Sequence, residues 1–462
     1  MTYSFSELSN KRVHFVGVGG SGMSGLARIM VSDGIAVTGS DVKDSTVLSA
    51  LRAVGVGISI GHRAENVDGA EFLVFSNAIP VDNPERIRAG ELKIPQLSRA
   101  EALAILMSGS KSIAVAGTHG KTTTTSMLTV AMQSCGEDPS FAIGGTLTTA
   151  GSNAHRGTGN YFIAEADESD GSFIEYCPFG AIITNIDHDH VDYYATEQSV
   201  IDAFSEFIKT ISPDGFLVYC ADDALAYALG SSTSHCKSFS YGIAEHADLH
   251  IDQIELEPGG AVARVLWQGR AIGVIEIQVP GHHNLLDAAA ALTAGLAVGL
   301  PVASLLAGLS TFRGTGRRFE LKGQVHGIRV IDDYGHHPTE ITATLVAARR
   351  YATDGRVLVI FQPHRYTRTQ AFTAQFATAL DLADKAWILE VYGASEKPIL
   401  GVTGLSVTKL MKHGTFEPNF LTTIEAIVNE AKPGDVILTL GAGDVSSLAP
   451  LIVEALEKKY QK

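Results

Sequence analysis

Cysteine, tryptophan and methionine are scarce, with four, two and seven copies in 462 residues. Cys135, Cys177, Cys220 and Cys236 form no C-x-x-C pair and no metal-ligand spacing. That argues against a disulfide framework and predicts buried or free thiols in a reducing compartment. Basic charge is also short: 35 Lys and Arg stand against 50 Asp and Glu, a net charge of −15. This argues against a nucleic-acid-binding surface. A small anionic ligand stays possible where local cations and backbone donors overcome the global field. No run approaches the roughly 18 apolar residues that cross a bilayer. The opening MTYSFSELSNKR has no apolar core and no cleavage site. The expectation is a cytoplasmic protein with neither membrane nor nucleic-acid partners.

What is present points to an α/β chain. Apolar residues make up 45% and charged residues 18%, which suits globular domains rather than disorder. Glycine outnumbers proline 47 to 15, as many strand-to-helix turns require. The length prior of about 150 residues per domain gives about three domains.

The organising stretch is SIAVAGTHGKTTTT, Ser112 to Thr125. It reads as an apolar strand, a glycine turn and a helix opening on threonines. Backbone N–H groups of Gly117, Thr118, His119 and Gly120 can cradle phosphates, helped by the helix N-terminus. Lys121 would reach β- and γ-phosphates, and Thr122, followed by Thr123, would offer its hydroxyl to Mg²⁺. Val115 stands where a standard P-loop carries its first glycine. The competing reading is a plain strand–turn–helix junction with capping threonines.

Upstream, VHFVG runs into GVGGSGMSG, so Gly17, Gly19 and Gly22 fit G-x-G-x-x-G, with Gly20 and Ser21 between them. A helix over about 23–32 and a strand over 36–38 follow, with Asp41 just beyond, where dinucleotide folds place a ribose-binding acid. The motif indicates a diphosphate at a helix N-terminus and does not name the ligand. A strand at 72–75 and a helix near 99–107 complete this domain, and SGS at 108–110 reads as a linker.

Two strands after the P-loop each end in a polar cluster. One carries Glu165, Asp167, Glu168, Ser169 and Asp170; the other carries Asn185, Asp187, Asp189, His190 and Asp192. Ligands bind outside the carboxyl ends of parallel strands, so both clusters should face the P-loop crevice. Crowded carboxylates call for cations, and Mg²⁺ suits oxygen ligands. Residues 249–279 alternate as an antiparallel hairpin or meander turning at Pro258-Gly259-Gly260. His283 and Asn284 open an alanine-rich helix and could bond a heterocycle or simply cap it. Arg313, Arg317 and Arg318 in FRGTGRRFE could meet phosphates bidentately or form a basic hinge.

The third domain begins near Leu321. A strand at 330–333 leads to DDYGHHPTE, and a strand at 357–361 leads to QPHRYTRT. Strands at 387–391 and 436–440 follow. The last runs into GAGD, where a structural turn outweighs a second nucleotide site.

GTHGKTTT, EADESDGSF, the TN-x₃-DH-x-D pattern, PG-x-HN, GTGRRFE, DDYGHHPTE and QPHRYTRT together resemble the Mur ligase family along essentially the whole chain. The resemblance implies three α/β domains. These are a Rossmann-like UDP-sugar domain (1–108), a central P-loop ATPase domain with a parallel sheet plus a small antiparallel sheet (109–320), and a C-terminal Rossmann-like domain for the amino acid (321–462). DDYGHHPTE with QPHRYTRT is the pattern of the branch that ligates L-alanine to UDP-N-acetylmuramate with ATP in peptidoglycan precursor synthesis. The alternative is the recycling branch, which adds murein tripeptide.

The resemblance also distributes roles. Gly117 to Thr123, His283, Asn284 and Arg318 would bind ATP. Gly17, Gly19, Gly20, Ser21, Gly22, Asp41, Asp167, Glu168, Ser169 and Asp170 would bind the UDP-sugar. Thr122, Glu165 and His190 would hold Mg²⁺. Tyr334, His337, His364, Arg365 and Arg368 would bind the amino acid. Lys121, Arg318, His336 and His337 would serve catalysis. Asp287 replaces a usual Asn, and Lys209, the first lysine after His190, is not assigned a metal-holding role. Two rival classes are a nicotinamide-dependent dehydrogenase, suggested by Gly17–Gly22 and Asp41, and a non-enzymatic P-loop switch. The first leaves the P-loop and both acidic clusters unexplained. The second leaves DDYGHHPTE and QPHRYTRT without a task.

Overall fold

The computed structural model describes Tyr3 to Gln461. The chain divides into two compact units. The first holds the chain through Ile186, Ile201–Leu249 and Ala290–Gly308; the second holds Asp187–Val200, His250–Ala289 and everything from Leu309.

The first unit opens with five parallel strands: β1 (Arg12–Val16), β2 (Ala36–Asp41), β3 (Gly57–Ile60), β4 (Phe72–Phe75) and β5 (Gln96–Ser98). Their order is β3-β2-β1-β4-β5, so the chain changes direction across the sheet at β1. Val13, Phe15 and Val16 are wholly buried, as an inner parallel strand requires. Strand β2 runs through Asp41, three residues past its expected end, because Ser40 and Asp41 continue the ladder to β3.

Seven further strands belong to this unit: β6 (Lys111–Ala116), β7 (Ser140–Leu147), β8 (Ser152–His155), β9 (Tyr161–Glu165), β10 (Gly180–Ile183), β11 (Phe216–Cys220) and β12 (Lys237–Gly242). They lie in the order β12-β11-β10-β6-β9-β7-β8. Strand β6 pairs in parallel with β10 and β9, and β8 closes the edge antiparallel to β7. The hairpin β7–β8 gives no strong sequence signal, since five of its residues are glycine, serine or asparagine. It receives the helix Ser21–Ser32: Asn153 donates to the Ser21 carbonyl at 2.7 Å, and Arg156 meets Asp33 at 2.6 Å.

The helix Lys121–Ser134 buries its threonines rather than exposing them. Two of these hydroxyls fold back onto the preceding turn: Thr125 onto the Lys121 carbonyl at 2.7 Å and Thr129 onto the Thr125 carbonyl at 2.8 Å. The buried polar atoms are thereby satisfied. Phe173, just beyond the EADESDG segment, stacks on Phe207 at 4.8 Å and meets Phe204 edge-on at 5.3 Å.

In the second unit, β13 (Leu249–Glu257), β14 (Gly260–Trp267) and β15 (Arg270–Ile277) form the expected meander. Six strands build its larger sheet: β16 (Glu320–Val325), β17 (Ile328–Asp333), β18 (Val357–Phe361), β19 (Lys385–Ile388), β20 (Gly414–Phe416) and β21 (Val436–Leu440). The order is β16-β17-β21-β18-β19-β20, parallel except for β16. Strand β18 feeds two cores: Val357, Val359 and Phe361 on one face, Leu358 and Ile360 on the other. Strand β19 stops at Ile388, short of the expected Val391, because pairing with β20 ends at Phe416. The GAGD segment is a turn held from inside. Arg317 donates to the carbonyls of Gly441 at 2.7 Å and Gly443 at 3.3 Å, and the Val445 N–H donates to Gln362 at 3.1 Å.

The architecture is therefore α/β, with a parallel N-terminal sheet, mixed central strands and a C-terminal sheet. Among the described residues the cysteines are free and no helix is long and apolar enough to cross a membrane. Phe173 anchors the acidic segment, so Phe173→Ala should cost about 3–5 kcal/mol in urea unfolding. A loss below about 1 kcal/mol would contradict that anchoring role.

Candidate active site

The P-loop is shaped by the segment after β10. The Thr118 N–H donates to the Asn185 carbonyl at 3.0 Å, and His119 and the Asn185 side chain exchange two bonds, at 2.9 and 3.0 Å. Gly117 has φ +134°, and a Cβ there would sit 2.0 Å from the Thr184 hydroxyl. Any side chain at 117 would push the loop off β10. Gly120, left-handed, leads into the helix Lys121–Ser134, whose first N–H groups lack intrahelical acceptors.

Lys121 folds back over this loop. Its ammonium donates to the carbonyls of Gly117 at 2.6 Å and Thr118 at 3.1 Å, and pairs with Glu168 at 2.6 Å. Burial alone would lower the Lys121 pKa, but Glu168, Asp167 and Glu165 outweigh it and hold the ammonium charged. Burial pushes Glu168 up to about 7, with Lys121 pulling the other way.

The end of β9 supplies Glu165. The Thr122 hydroxyl stands 3.0 and 3.1 Å from its two carboxylate oxygens, and the Gly144 N–H donates to it at 2.7 Å. A hydroxyl and a carboxylate converging from two elements are hard oxygen donors and fit Mg²⁺. Asp167 accepts from the Ser169 N–H at 3.1 Å and lies 3.4 Å from Arg99. Asp170 accepts from Asn77 and Ser172.

The first glycine loop turns at Gly17 and delivers Gly20 as the cap of the helix Ser21–Ser32. Asp41 accepts the Gly19 N–H at 2.9 Å, so this acid pins the loop itself. A cavity of about 270 Å³ opens beside it, bounded by Gly20, Ser21, Arg99, Asn153, Glu165 and Asp167 among others.

Within the second acidic cluster, Asn185 bonds the P-loop, and Asp187, Asp189, His190 and Asp192 belong to the second unit, where they meet DDYGHHPTE and QPHRYTRT. Asp189 receives two bonds from Arg368, at 2.9 and 3.1 Å, and both side chains are almost wholly buried. Burial would raise the Asp189 pKa, yet the Arg368 guanidinium holds it far below the usual range. Arg365 pairs with Asp192. Thr339 donates to Asp187 at 2.8 Å, and His337 lies 3.7 Å from the same carboxylate. His190, at φ +51°, sits 3.8 Å from Asp189.

Three histidines here are held neutral. Burial lowers His336 well below its ordinary pKa; it lowers His364 to about 3, with Arg368 and Arg365 adding to it, and His283 to about 4, with His282 and Arg318 adding. His336 Nδ1 lies 3.1 Å from the Tyr334 carbonyl, which can only accept, so the proton sits on Nδ1 and Nε2 keeps its lone pair. Arg368 donates to His364 Nδ1 at 3.2 Å, which places the His364 proton on Nε2. Arg318 lies over the Tyr334 ring at 5.1 Å and 3.5 Å from Glu340, while Arg317 is taken up by the GAGD turn. Asn284 turns its amide onto the Pro280 carbonyl at 2.6 Å. Lys209 is exposed and paired with Glu206.

Sequence reasoning missed Arg99, Glu340 and the pairing of the second acidic cluster with the arginines of QPHRYTRT. Arg99 had one signal: it is the first residue of the helix Arg99–Met107, where the macrodipole disfavours a cation.

A P-loop beside a hydroxyl–carboxylate pair in the first unit, and an acid–arginine–histidine cluster in the second, are features that an ATP-dependent ligase of carboxylate and amine groups requires. Comparison places the chain. Residues 12–111 match the family model "Mur ligase family, catalytic domain", 115–295 the "Mur ligase middle domain" and 317–443 the "Mur ligase, glutamate ligase domain". The chain belongs to the Mur ligase family. It is 46% identical to the UDP-N-acetylmuramate–L-alanine ligase of Saccharopolyspora erythraea, over 97% of this chain and 94% of that one. The enzyme of the same name from Paenarthrobacter aurescens is also 46% identical, over 99% and 100%. The crystal structure of the UDP-N-acetylmuramate–alanine ligase of Thermotoga maritima superposes with a TM-score of 0.82 at 29% identity, covering 98% and 99%. A murein peptide ligase of Psychrobacter arcticus gives 0.74 at 25%, covering 97% and 99%.

An unfolded histidine protonates near pH 6.5 and folded His283 only near 4. Between these the unfolded state binds more protons, so this site's contribution to stability falls as pH falls. Compared with His283→Gln, the wild type should lose about 1.4 kcal/mol per pH unit from 6.5 to 4. Parallel urea titrations at pH 7 and pH 5 measure the difference, and equal slopes for the two proteins would rule it out.

Proposed function

We propose that the chain joins L-alanine to the lactyl carboxylate of UDP-N-acetylmuramate, converting ATP to ADP and phosphate, in the cytoplasmic steps of peptidoglycan precursor synthesis. The observation that carries this reading is 46% identity over nearly the full length to alanine-adding ligases, together with a P-loop whose lysine sits among carboxylates. The murein peptide ligase is the less similar structure in both sequence and superposition.

A carboxylate is a poor electrophile, because attack by an amine must expel oxide. Transfer of the γ-phosphoryl group onto the lactyl oxygen breaks the bond to ADP and makes an acyl phosphate. The alanine amine then attacks the acyl carbon, and inorganic phosphate leaves from the tetrahedral intermediate. The first step brings anions together. Lys121, fully charged, would exchange its loop carbonyls and Glu168 for the β- and γ-phosphates. Thr122 and Glu165 would hold one Mg²⁺ and His190 would help to hold another; when bound, such ions supply charge neutralisation at the phosphates. Gly17 to Gly22 would hold the diphosphate of the UDP-sugar.

In the second unit, His336 Nε2 is an available acceptor and would take the proton that the alanine ammonium must lose before attack. His364 Nε2–H and Arg365 would meet the alanine carboxylate. Arg368 would act from behind, since Asp189 already occupies its fork.

Phosphate release from ATP and Mg²⁺ should require both UDP-N-acetylmuramate and L-alanine. Release that instead requires murein tripeptide would move the chain to the recycling branch. His336→Gln should lower kcat by about 10²- to 10⁴-fold with KM for ATP unchanged. An unaltered kcat would remove His336 from the role of base.

A further inference from the structure

We propose that Arg99 binds the sugar-proximal phosphate of the UDP-sugar, and that Asp167 occupies this guanidinium until substrate arrives. The proposal rests on the reading of the 270 Å³ cavity as the UDP-sugar site.

Among the described residues, Arg99 is the single Lys or Arg bordering that cavity, whose wall also carries Glu165 and Asp167. A substrate with two phosphates and a carboxylate cannot settle against two carboxylates without a counter-charge. Arg99 supplies it at a defined place. Its side chain lies flat on the first glycine loop: a Cβ added at Gly22 would come within 2.9 Å of Arg99 Cδ and 3.5 Å of Nη1. Residue 22 must therefore be small for the guanidinium to lie beside the N-terminus of the helix Ser21–Ser32. A diphosphate bound at that N-terminus would present its second phosphate to Arg99.

The position is otherwise unfavourable. Arg99 begins the helix Arg99–Met107, where the macrodipole repels a cation, and its side chain is only 24% exposed. Asp167 answers that charge weakly: one contact at 3.4 Å, without the paired geometry of Arg368 and Asp189. A loosely held guanidinium can exchange one oxyanion for another, and a phosphate accepts its fork bidentately.

The assignment separates from a structural role by the sign of two effects. Isothermal titration with UDP, UMP and UDP-N-acetylmuramate, without ATP or alanine, provides the readout. Arg99→Ala should weaken UDP and UDP-N-acetylmuramate alike by about 10- to 100-fold and leave UMP nearly unchanged. Asp167→Asn should tighten UDP by about threefold or more, because it removes the competitor. Loss confined to UDP-N-acetylmuramate would assign Arg99 to the lactyl carboxylate and overturn the proposal. So would equal losses for UDP and UMP, or weaker UDP binding in both variants, which is what a purely structural ion pair predicts. A wild type that binds none of the three would overturn the UDP-sugar reading itself. Wild-type binding with an unaffected Arg99→Ala variant would overturn only the role of Arg99.

Discussion

The Lys121–Glu168 contact, 2.6 Å long and buried, is the constraint on which the first unit depends. A lysine in a closed loop of backbone carbonyls can stay charged only if carboxylates surround it, and three of them do. Those carboxylates are then too crowded for one another unless further cations stand nearby. Thr122 with Glu165, and Arg99 with Asp167, are the two places where the excess negative charge is answered or left available. The same arrangement suits a reaction that must bring phosphate and carboxylate together, because the protein has already met the cost of assembling like charges during folding.

The second unit meets a similar constraint with the opposite geometry. Asp189 and Arg368 form a closed, doubly bonded pair with almost no exposure. Such a pair contributes modestly to stability relative to apolar residues, but it fixes position strongly. Arg368 then sets the tautomer of His364, while the Tyr334 carbonyl sets the reverse tautomer of His336. A donor and an acceptor on two neutral rings, 5.8 Å apart between centroids, are thus arranged without any reliance on solution pH near neutrality.

Much of this was legible in the sequence, because strand-end chemistry obeys local rules. GKT after an apolar run, carboxylates after YFIAE and a histidine before Pro338 each follow from the requirement that ligands lie at strand ends and helix N-termini. Strand β18 and the helix Arg99–Met107 fell where the apolar pattern put them. What failed was pairing at a distance. Nothing local says that Asp189 belongs to an arginine 179 residues away, or that Asn153 supports Ser21 across 132 residues. The β7–β8 hairpin escaped notice for a related reason. Its glycine, serine and asparagine residues have weak strand propensity, and it is stabilised by the helix packed on it.

The two glycine turns show why motif and site must be kept apart. Gly17-Val18-Gly19 and Gly441-Ala442-Gly443 share the G-x-G pattern at the carboxyl ends of parallel strands. In the first, Asp41 reaches in from the neighbouring strand and accepts an N–H, and the turn passes directly into a twelve-residue helix beside an open cavity. In the second, a guanidinium seizes the carbonyls and Gln362 takes a following N–H, so the polar groups of the turn are consumed by the fold. Glycine supplies the turn in both cases. Whether the turn serves a ligand depends on which backbone groups the surrounding side chains leave available, and that is a property of the tertiary structure.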